Sequence, residues 1–271
     1  MTANEPKPGH DDIEASRAPL LDHLIELRTR LIWSMLAFII AFFASYAFAK
    51  PIYQFLAAPL AQALEGEAGR RMIATGVMET FFTYIRVAAF SATCLSFPVV
   101  ASQVWMFIAP GLYKHERKAF LPFLIATPVM FTAGAALAYY GLLPVAMEFF
   151  LSFETPAGEG ALPIQLEARV SEYLSFIMTL IFAFGLAFQV PVGLTLMGRV
   201  GIIDSAWLMK YRRYAIVMAF VIAAVITPPD VMSQVALAVP LILLYEVSIW
   251  IVRMFERERA REAAAREAAA E

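Results

Sequence analysis

The residues with the clearest potential for chemistry are two carboxylates, Glu26 and Glu116, which are both set among cations. Arg30 follows Glu26 by one helical turn, and Glu116 lies inside the basic run 114–118. Each carboxylate can be explained without a binding role. Glu26 can form an i,i+4 bridge with Arg30, worth only ~0.3–0.5 kcal/mol, and Glu116 can simply keep a loop soluble. From spacing alone these plain interpretations come first, and a binding role for the two carboxylates stays open.

The surroundings of both carboxylates predict a position at the cytoplasmic rim of a membrane. Trp105, Phe107 and Tyr113 precede the basic run around Glu116, and aromatic residues followed by basic ones are typical of a cytoplasmic loop. Glu26 lies in a segment whose leucines recur on one helical face, with charged residues on the opposite face. Such a helix lies in the interface, with its charged side toward water.

The sequence offers no arrangement of residues that is typical of an enzyme. Its three histidines, His10, His23 and His115, all fall outside the predicted spans, and no two are four residues apart as in a helical zinc protease motif. A Gly-rich lysine loop for nucleoside triphosphates is also missing. The single cysteine, Cys94, allows neither an internal disulfide nor a cysteine metal site. We therefore expect no catalysis, no cofactor and no metal.

Composition identifies a polytopic membrane protein. Of the 271 residues, 61% are hydrophobic and only 16% are charged, and the mean hydropathy is +0.67. Soluble domains are usually ~45–50% apolar, and here the apolar residues form long blocks rather than periodic positions. We predict a single transmembrane domain over residues 20–252, a disordered cytoplasmic tail over 1–19 and a charged helical tail over 253–271.

Six apolar runs predict six transmembrane helices, of which the last two are short. Crossing a bilayer takes ~20 apolar residues, and the fifth run has only fourteen before a Thr-Pro-Pro-Asp hairpin. Spans this short should thin the bilayer locally. The predicted spans are Leu31–Ala49, Phe81–Phe107, Phe120–Leu143, Tyr173–Met197, Tyr214–Thr227 and Val231–Ile251.

Basic residues predict the orientation. With the N-terminus inside, cytoplasmic segments hold sixteen lysines and arginines, and the outer segments hold five. This asymmetry favours both termini in the cytoplasm.

Few polar groups fall within the predicted spans, and such groups must face a cavity or a partner. Gln189 lies in the fourth span, where it either serves function or simply joins helices by hydrogen bonds. Glu246 lies in the sixth span, and we expect it to pair with a basic residue near the cytoplasmic end.

Four blocks of the sequence resemble the TatC family, the multi-span subunit of the twin-arginine protein translocase. The resemblance extends in order from about Leu20 to Arg253, and the second and fourth blocks are highly specific to the family. The blocks are His23-Leu-Ile-Glu-Leu-Arg-Thr-Arg30, Gln103-Val-Trp-Met-Phe-Ile-Ala-Pro-Gly-Leu-Tyr-Lys-His-Glu-Arg117, Phe188-Gln-Val-Pro191 and Thr227-Pro-Pro-Asp-Val-Met-Ser-Gln234.

The resemblance implies a fold and a function. It implies six helices in a curved, cup-like wall in a bacterial cytoplasmic membrane. It also implies that several copies of the chain belong to one complex. It also implies that the protein binds signal peptides with two consecutive arginines and works with the single-span subunits TatA and TatB. Together these subunits export folded proteins by using the proton-motive force.

The resemblance also assigns roles to individual residues. Glu26 and Glu116 become the acceptors for the two guanidinium groups, because arginine presents a planar fork that matches a carboxylate. Neighbouring cations, Arg28 among them, would keep the carboxylates ionised and repel a basic peptide in the wrong register. Phe107 could stack on a guanidinium, and the apolar part of the signal could enter a concave face near Gln189.

The chain departs from the family pattern at Gln189, where relatives commonly carry glutamate. An amide cannot ionise, so the resemblance supports only a hydrogen-bonding role there. Four further positions match the family as supporting or partner-contact residues: Arg30, Pro59, Tyr139 and Asp230. The alternative function that the residues leave open is a secondary solute or ion transporter, although no inverted repeat is evident.

Overall fold

The computed structural model describes residues 11–64, 71–112, 117–155, 167–226 and 231–269. Within these ranges the chain is almost entirely helical, and its only extended pairing is an isolated parallel bridge between Ile73 and Arg169. The helices are α1 (Asp11–Ala47), α2 (Ala49–Ala63), α3 (Glu79–Leu112), α4 (Arg117–Ala136), a π-helical turn (Leu137–Leu142), α5 (Leu143–Leu151), α6 (Val170–Ala187), α7 (Gln189–Val200), α8 (Ser205–Ile226) and α9 (Val231–Ala268).

Five helical segments in the described ranges are long and apolar enough to cross a membrane, which confirms the predicted all-α membrane fold. α8 is not one of the five, so the predicted fifth span, Tyr214–Thr227, stays a prediction. The five segments are His23–Ala47, Glu79–Phe107, Pro122–Leu151, Val170–Val200 and Gln234–Ala268.

The first helix is longer than the sequence indicates. α1 begins at Asp11, inside the segment predicted as a disordered tail, and residues 1–10 lie outside the described residues. α1 packs mainly against α3 and otherwise exposes large apolar side chains such as Trp33 and Phe43, as a lipid-facing helix does.

The third predicted span ends too early. Helix continues through the π-helical turn and α5 to Leu151, so the predicted outer loop from Pro144 to 171 begins about two helical turns later than expected. Pro144 does not stop the helix because it lies at the start of α5, directly after the π-helical turn, where proline is tolerated. Ala146 and Met147 are buried beyond it.

The predicted basic loop 198–213 is mostly helix. Only the turn around Gly201 interrupts the chain, with Gly201 in the left-handed conformation (φ 84°) that ends α7. α8 then starts at Ser205 and carries Lys210, Arg212 and Arg213, because lysine and arginine are good helix formers. α9 runs unbroken to Ala268, so the predicted boundary at residue 253 falls inside one helix.

The core lies where α6 meets its neighbours. The side chains of Leu143, Leu174, Ile177, Leu180 and Phe184 are almost completely buried there. Glu79 and Ser171 are hydrogen-bonded, so α3 and α6 start at the same end of the bundle. We call this end, which also holds α2, the α2 end. The end where Arg30 of α1 meets Gln103 of α3 is the basic end.

Candidate functional site

An ion pair between Glu26 and Arg30 forms the centre of the basic end. The Arg30 guanidinium donates from Nη2 to Glu26 Oε1 at 3.0 Å, and the two side chains are 29% and 32% exposed respectively. This is the i,i+4 bridge that the spacing predicts. Among the described residues only Arg30 hydrogen-bonds to the carboxylate, and it does so through Oε1 of a partly exposed side chain.

Arg30 is held by α3 as well as by Glu26. Its Nη1 donates to Gln103 Oε1 at 3.2 Å and lies 3.6 Å from Met106 Sδ. Since α1 and α3 pack along their length, the ion pair is part of the contact between two helices rather than a bridge on a free surface. The arginine therefore has three partners, of which the carboxylate is only one.

Phe107 lies beside this ion pair but does not stack on a guanidinium. Its ring stacks on the His23 imidazole, with centroids 4.3 Å apart and an interplanar angle of 20°. Arg28, predicted to contribute to the same site, is exposed. The structure thus brings His23, Glu26, Arg30 and Phe107 together, and His23 is the member that sequence reasoning did not include.

Two predicted residues, Glu116 and Asp230, lie outside the described residues. α3 ends at Leu112 and α4 begins at Arg117, with Glu116 between them in the sequence. Asp230 is the residue before α9.

Gln189 joins the α6–α7 junction to α4. Its Nε2 donates to the carbonyl of Thr127 at 3.1 Å and to that of Gly185 at 3.4 Å. Its Oε1 is buried and has no hydrogen-bond partner among the described residues. These contacts are the helix-joining role that the sequence left open, and they direct the amide toward α4.

A large apolar cavity of about 640 Å³ lies between helices α3, α6, α7, α8 and α9. Gln189 is not among its lining residues, although Leu186 and Val190 on either side of it are. The cavity is lined by Phe90, Thr93, Met178, Thr179, Phe182, Ala183, Leu186, Ala187, Val190, Ile222, Ile226 and Leu241.

Two tyrosines repair the interruption that Pro59 makes in α2. Proline has no N–H, so the carbonyl of Phe55 lacks its usual partner four residues on. The Tyr139 hydroxyl donates to this carbonyl at 2.5 Å, and the Tyr139 ring stacks on that of Phe55. At the next residue of α2, the Tyr173 hydroxyl donates to the Leu56 carbonyl at 3.2 Å. The same hydroxyl accepts from the Leu60 N–H at 3.1 Å.

The π-helical turn explains how Tyr139 reaches Phe55. π-helical turns insert an extra residue into a helix and frequently accompany functional positions. Tyr139 lies within this turn and is only 8% exposed. Pro59 and Tyr139, which the resemblance names separately, therefore belong to one structural unit at the α2 end.

The α2 end is closed by a second polar cluster, centred on Glu79. Its Oε2 accepts from the backbone N–H groups of Thr75 and Gly76, at 2.7 and 3.1 Å. Its Oε1 accepts from the Ser171 hydroxyl at 2.7 Å and from the Ser171 N–H at 3.2 Å. Sequence reasoning gave Glu79 no role, although threonine and glycine just before a glutamate at a helix start are a usable signal.

Near Glu79, Arg169 donates to Thr75 and to Glu172. The hydrogen bond that Arg169 donates to Glu172, 2.7 Å long, raises the pKa of the Arg169 guanidinium above its ordinary value, and the charge of the carboxylate adds to this effect. The two loops before α3 and α6 are thereby held together by charged and neutral hydrogen bonds.

Polar contacts also join α8 to α9. Glu246 accepts from Arg212 at 2.7 Å, which is the basic partner that the sequence predicts for it. Glu256 accepts from the N–H and the hydroxyl of Ser205, at 2.7 and 2.6 Å, where α8 begins. In the described ranges, no group of three or more His, Cys, Asp or Glu side chains is placed to hold a metal ion.

Comparison with known proteins agrees with this architecture. The family model described as Sec-independent protein translocase protein (TatC) matches residues 22–240. The chain is 49% identical to the protein of that name from Magnetococcus marinus over 95% of this chain and 92% of the relative. It is 42% identical to the protein from Escherichia coli K12, over 88% of this chain and 89% of that one.

A solved crystal structure resembles this chain over almost the whole length of the solved chain. The crystal structure of a twin arginine translocase receptor, TatC, superposes with a TM-score of 0.73 at 38% identity. The match covers 86% of this chain and 99% of the solved one.

Proposed function

This chain belongs to the TatC family of Sec-independent protein translocase proteins, and from that premise we propose that its basic end binds the paired arginines of signal peptides. The observation that carries the proposal is the Glu26 carboxylate, which is partly exposed and which the described residues contact through one oxygen only. Arginine is the natural ligand for such a group, since its guanidinium donates two parallel hydrogen bonds to a carboxylate.

Binding at Glu26 is an exchange of one arginine for another. A bidentate ligand needs both carboxylate oxygens, so the incoming guanidinium displaces Arg30 from Oε1. Arg30 is not left without partners, because Gln103 and Met106 still contact its other nitrogen. The desolvation cost of separating the resident pair is reduced in this way, since an unpaired charge in a half-buried site is costly.

A second carboxylate is needed for a second arginine, and Glu116 is the candidate that the family resemblance supplies. Arg28 and the stacked pair His23–Phe107 border the site. Arg28 disfavours basic peptides that approach in another register, and the Phe107 ring offers a face for a guanidinium if His23 moves aside.

The apolar part of the signal peptide occupies the 640 Å³ cavity in this proposal. Its lining is almost wholly apolar, so burial there gains about 25 cal/mol for every Å² removed from water or headgroups. Gln189 acts indirectly, by fixing the junction of α6 and α7 whose flanking residues Leu186 and Val190 line the cavity.

The proposed setting is a bacterial cytoplasmic membrane, with the basic end and both termini in the cytoplasm. Along the hairpin 214–251, TatA- and TatB-like single-span helices bind and cover exposed apolar residues such as Val217, Val225 and Leu243. Several copies of the chain form one complex, and the proton-motive force drives export. A solute or ion transporter has no support from the comparisons, which all concern protein translocases.

The test is binding of a twin-arginine peptide to the purified protein in detergent. We expect Glu26→Gln, which keeps the shape and removes the charge, to weaken binding at least tenfold, because a charge-assisted bidentate pair is lost. Glu262→Gln makes the same charge change on the exposed part of α9 and should bind as the unaltered protein does. Equal affinities for both variants would reject Glu26 as an acceptor.

A further inference from the structure

A charged recess at the α2 end adjoins the apolar cavity. It has a volume of about 400 Å³ and is lined by Arg86 of α3 and by Glu172, Ser171 and Ser175 of α6. Thr179 and Ile226 line both spaces, so the recess opens directly into the cavity. Polar groups therefore lie at one end of a continuous groove, and apolar groups fill the rest.

Arg86 lies well inside the bilayer-spanning part of α3. It follows Glu79 by seven residues, which at 1.5 Å per residue places its Cα ~10 Å below the start of the helix. Glu79 is bonded to Ser171, so α3 and α6 are in register at that level. From its depth the long Arg86 side chain extends toward the membrane surface, in the direction of Ser175 and Glu172.

Arg86 has no ion-pair partner among the described residues. Glu172 lines the same recess but pairs instead with Arg169, through a single oxygen at 2.7 Å. That pair is exposed, with Arg169 at 45% and Glu172 at 67%, so it is weak. With respect to the described part of the chain, the recess thus offers a cation without an ion-pair partner, a carboxylate bonded through one oxygen, and the hydroxyl groups of Ser175 and Thr179.

The face of α6 and α7 changes from polar to apolar along its length. Glu172, Ser175 and Thr179 are exposed on one helical face, and Leu186 and Val190 continue the groove toward the basic end. A ligand that fits has a headgroup with both charges and a long apolar tail. A phospholipid with a zwitterionic headgroup has this form.

We propose that this groove is a binding site for phosphatidylethanolamine of the leaflet at the α2 end. The phosphate accepts from Arg86 and from the hydroxyl group of Ser175, and the ammonium donates to Glu172. One acyl chain enters the apolar cavity past Thr179 while no signal peptide occupies that cavity. Phosphatidylglycerol offers the phosphate but no cation, and phosphatidylcholine offers a cation without N–H donors, so both bind less well.

The site can be tested by native mass spectrometry of the full chain in detergent, titrated with each of the three phospholipids. We expect phosphatidylethanolamine to bind about tenfold more tightly than phosphatidylglycerol. Arg86→Gln should weaken both lipids about tenfold, and Glu172→Gln should remove the preference between them. Arg71→Gln, on the exposed loop before α3, is the matched control and should change neither.

Thr179→Phe provides a test that leaves both charges in place. Because it fills the neck between the recess and the cavity, it should weaken all three lipids while the thermal midpoint of unfolding stays near that of the unaltered protein. Equal affinity for the three lipids, or unchanged binding in Arg86→Gln and Thr179→Phe, would overturn the proposal. Thiol labelling of Thr179→Cys gives a further outcome. If a co-expressed single-span helix blocks this labelling and lipid does not, the groove is a protein-docking surface and the proposal is overturned.

Discussion

Replacing Tyr139 with phenylalanine tests how α2 tolerates Pro59. The substitution keeps the ring that stacks on Phe55 and removes only the hydroxyl that donates to the Phe55 carbonyl. A buried acceptor left without a donor costs about 1–3 kcal/mol, and the lower half of this range applies because the contact is only partly buried. We therefore expect Tyr139→Phe to lower the free energy of unfolding by about 1–1.5 kcal/mol.

The decisive measurement repeats this substitution in a Pro59→Ala background. Alanine restores an N–H at position 59, which can donate to the Phe55 carbonyl as in an ordinary helix. Tyr139→Phe should then cost less than half as much, because the carbonyl keeps a partner. Thermal unfolding in detergent measures both steps of this double-mutant cycle, with about 2–4 °C expected for each kcal/mol in a domain of this size.

Tyr140→Phe is the matched control, since Tyr140 is the neighbouring tyrosine and is 70% exposed. It should shift stability by no more than ~0.5 kcal/mol in either background. If Tyr139→Phe costs the same with and without Pro59, the hydroxyl does not replace the missing N–H and the explanation of this contact is wrong.

Two further predictions concern the α4 and α9 contacts. Gln189→Glu should destabilise the protein more than Gln189→Leu does, because a carboxylate faces the Thr127 carbonyl without a donor, whereas leucine also removes the unpartnered Oε1. Thermal midpoints of unfolding in detergent at neutral pH compare the two variants, and a lower midpoint for Gln189→Leu would contradict this prediction. Gly198→Ala should lower stability by about 1–3 kcal/mol, because the added Cβ would meet Val252 Cγ2 at 2.5 Å. Val252→Ala in the same chain should restore most of this loss, and a loss that is not restored would show that α7 and α9 do not clash there.

The sequence predicts the features that depend on composition and local spacing. Apolar run length gives the positions of the main spans, and the i,i+4 spacing gives the Glu26–Arg30 bridge. The expected basic partner of Glu246 is Arg212, because few other groups near the end of a span can balance the charge of a carboxylate.

Contacts between distant parts of the chain were not predictable in the same way. The bond from Tyr139 to Phe55 spans 84 residues and depends on a π-helical turn that no local pattern indicates. α8 starts at Ser205, inside the predicted basic loop, because lysine and arginine are typical of cytoplasmic loops but also favour helix. The cap that fixes this start, Glu256, comes from another helix 51 residues later.

The extension of α9 past the membrane has a practical consequence for work on this protein. Besides Glu256, it supplies Glu258, which pairs with Arg199, and Arg259, which donates to the carbonyl of Gly198. A truncation or fusion placed at residue 253 would cut off all three side chains at once and leave the turn between α7 and α8 without its outer support. Purification tags and reporter domains therefore belong after Ala268, where α9 has already made every contact described for it.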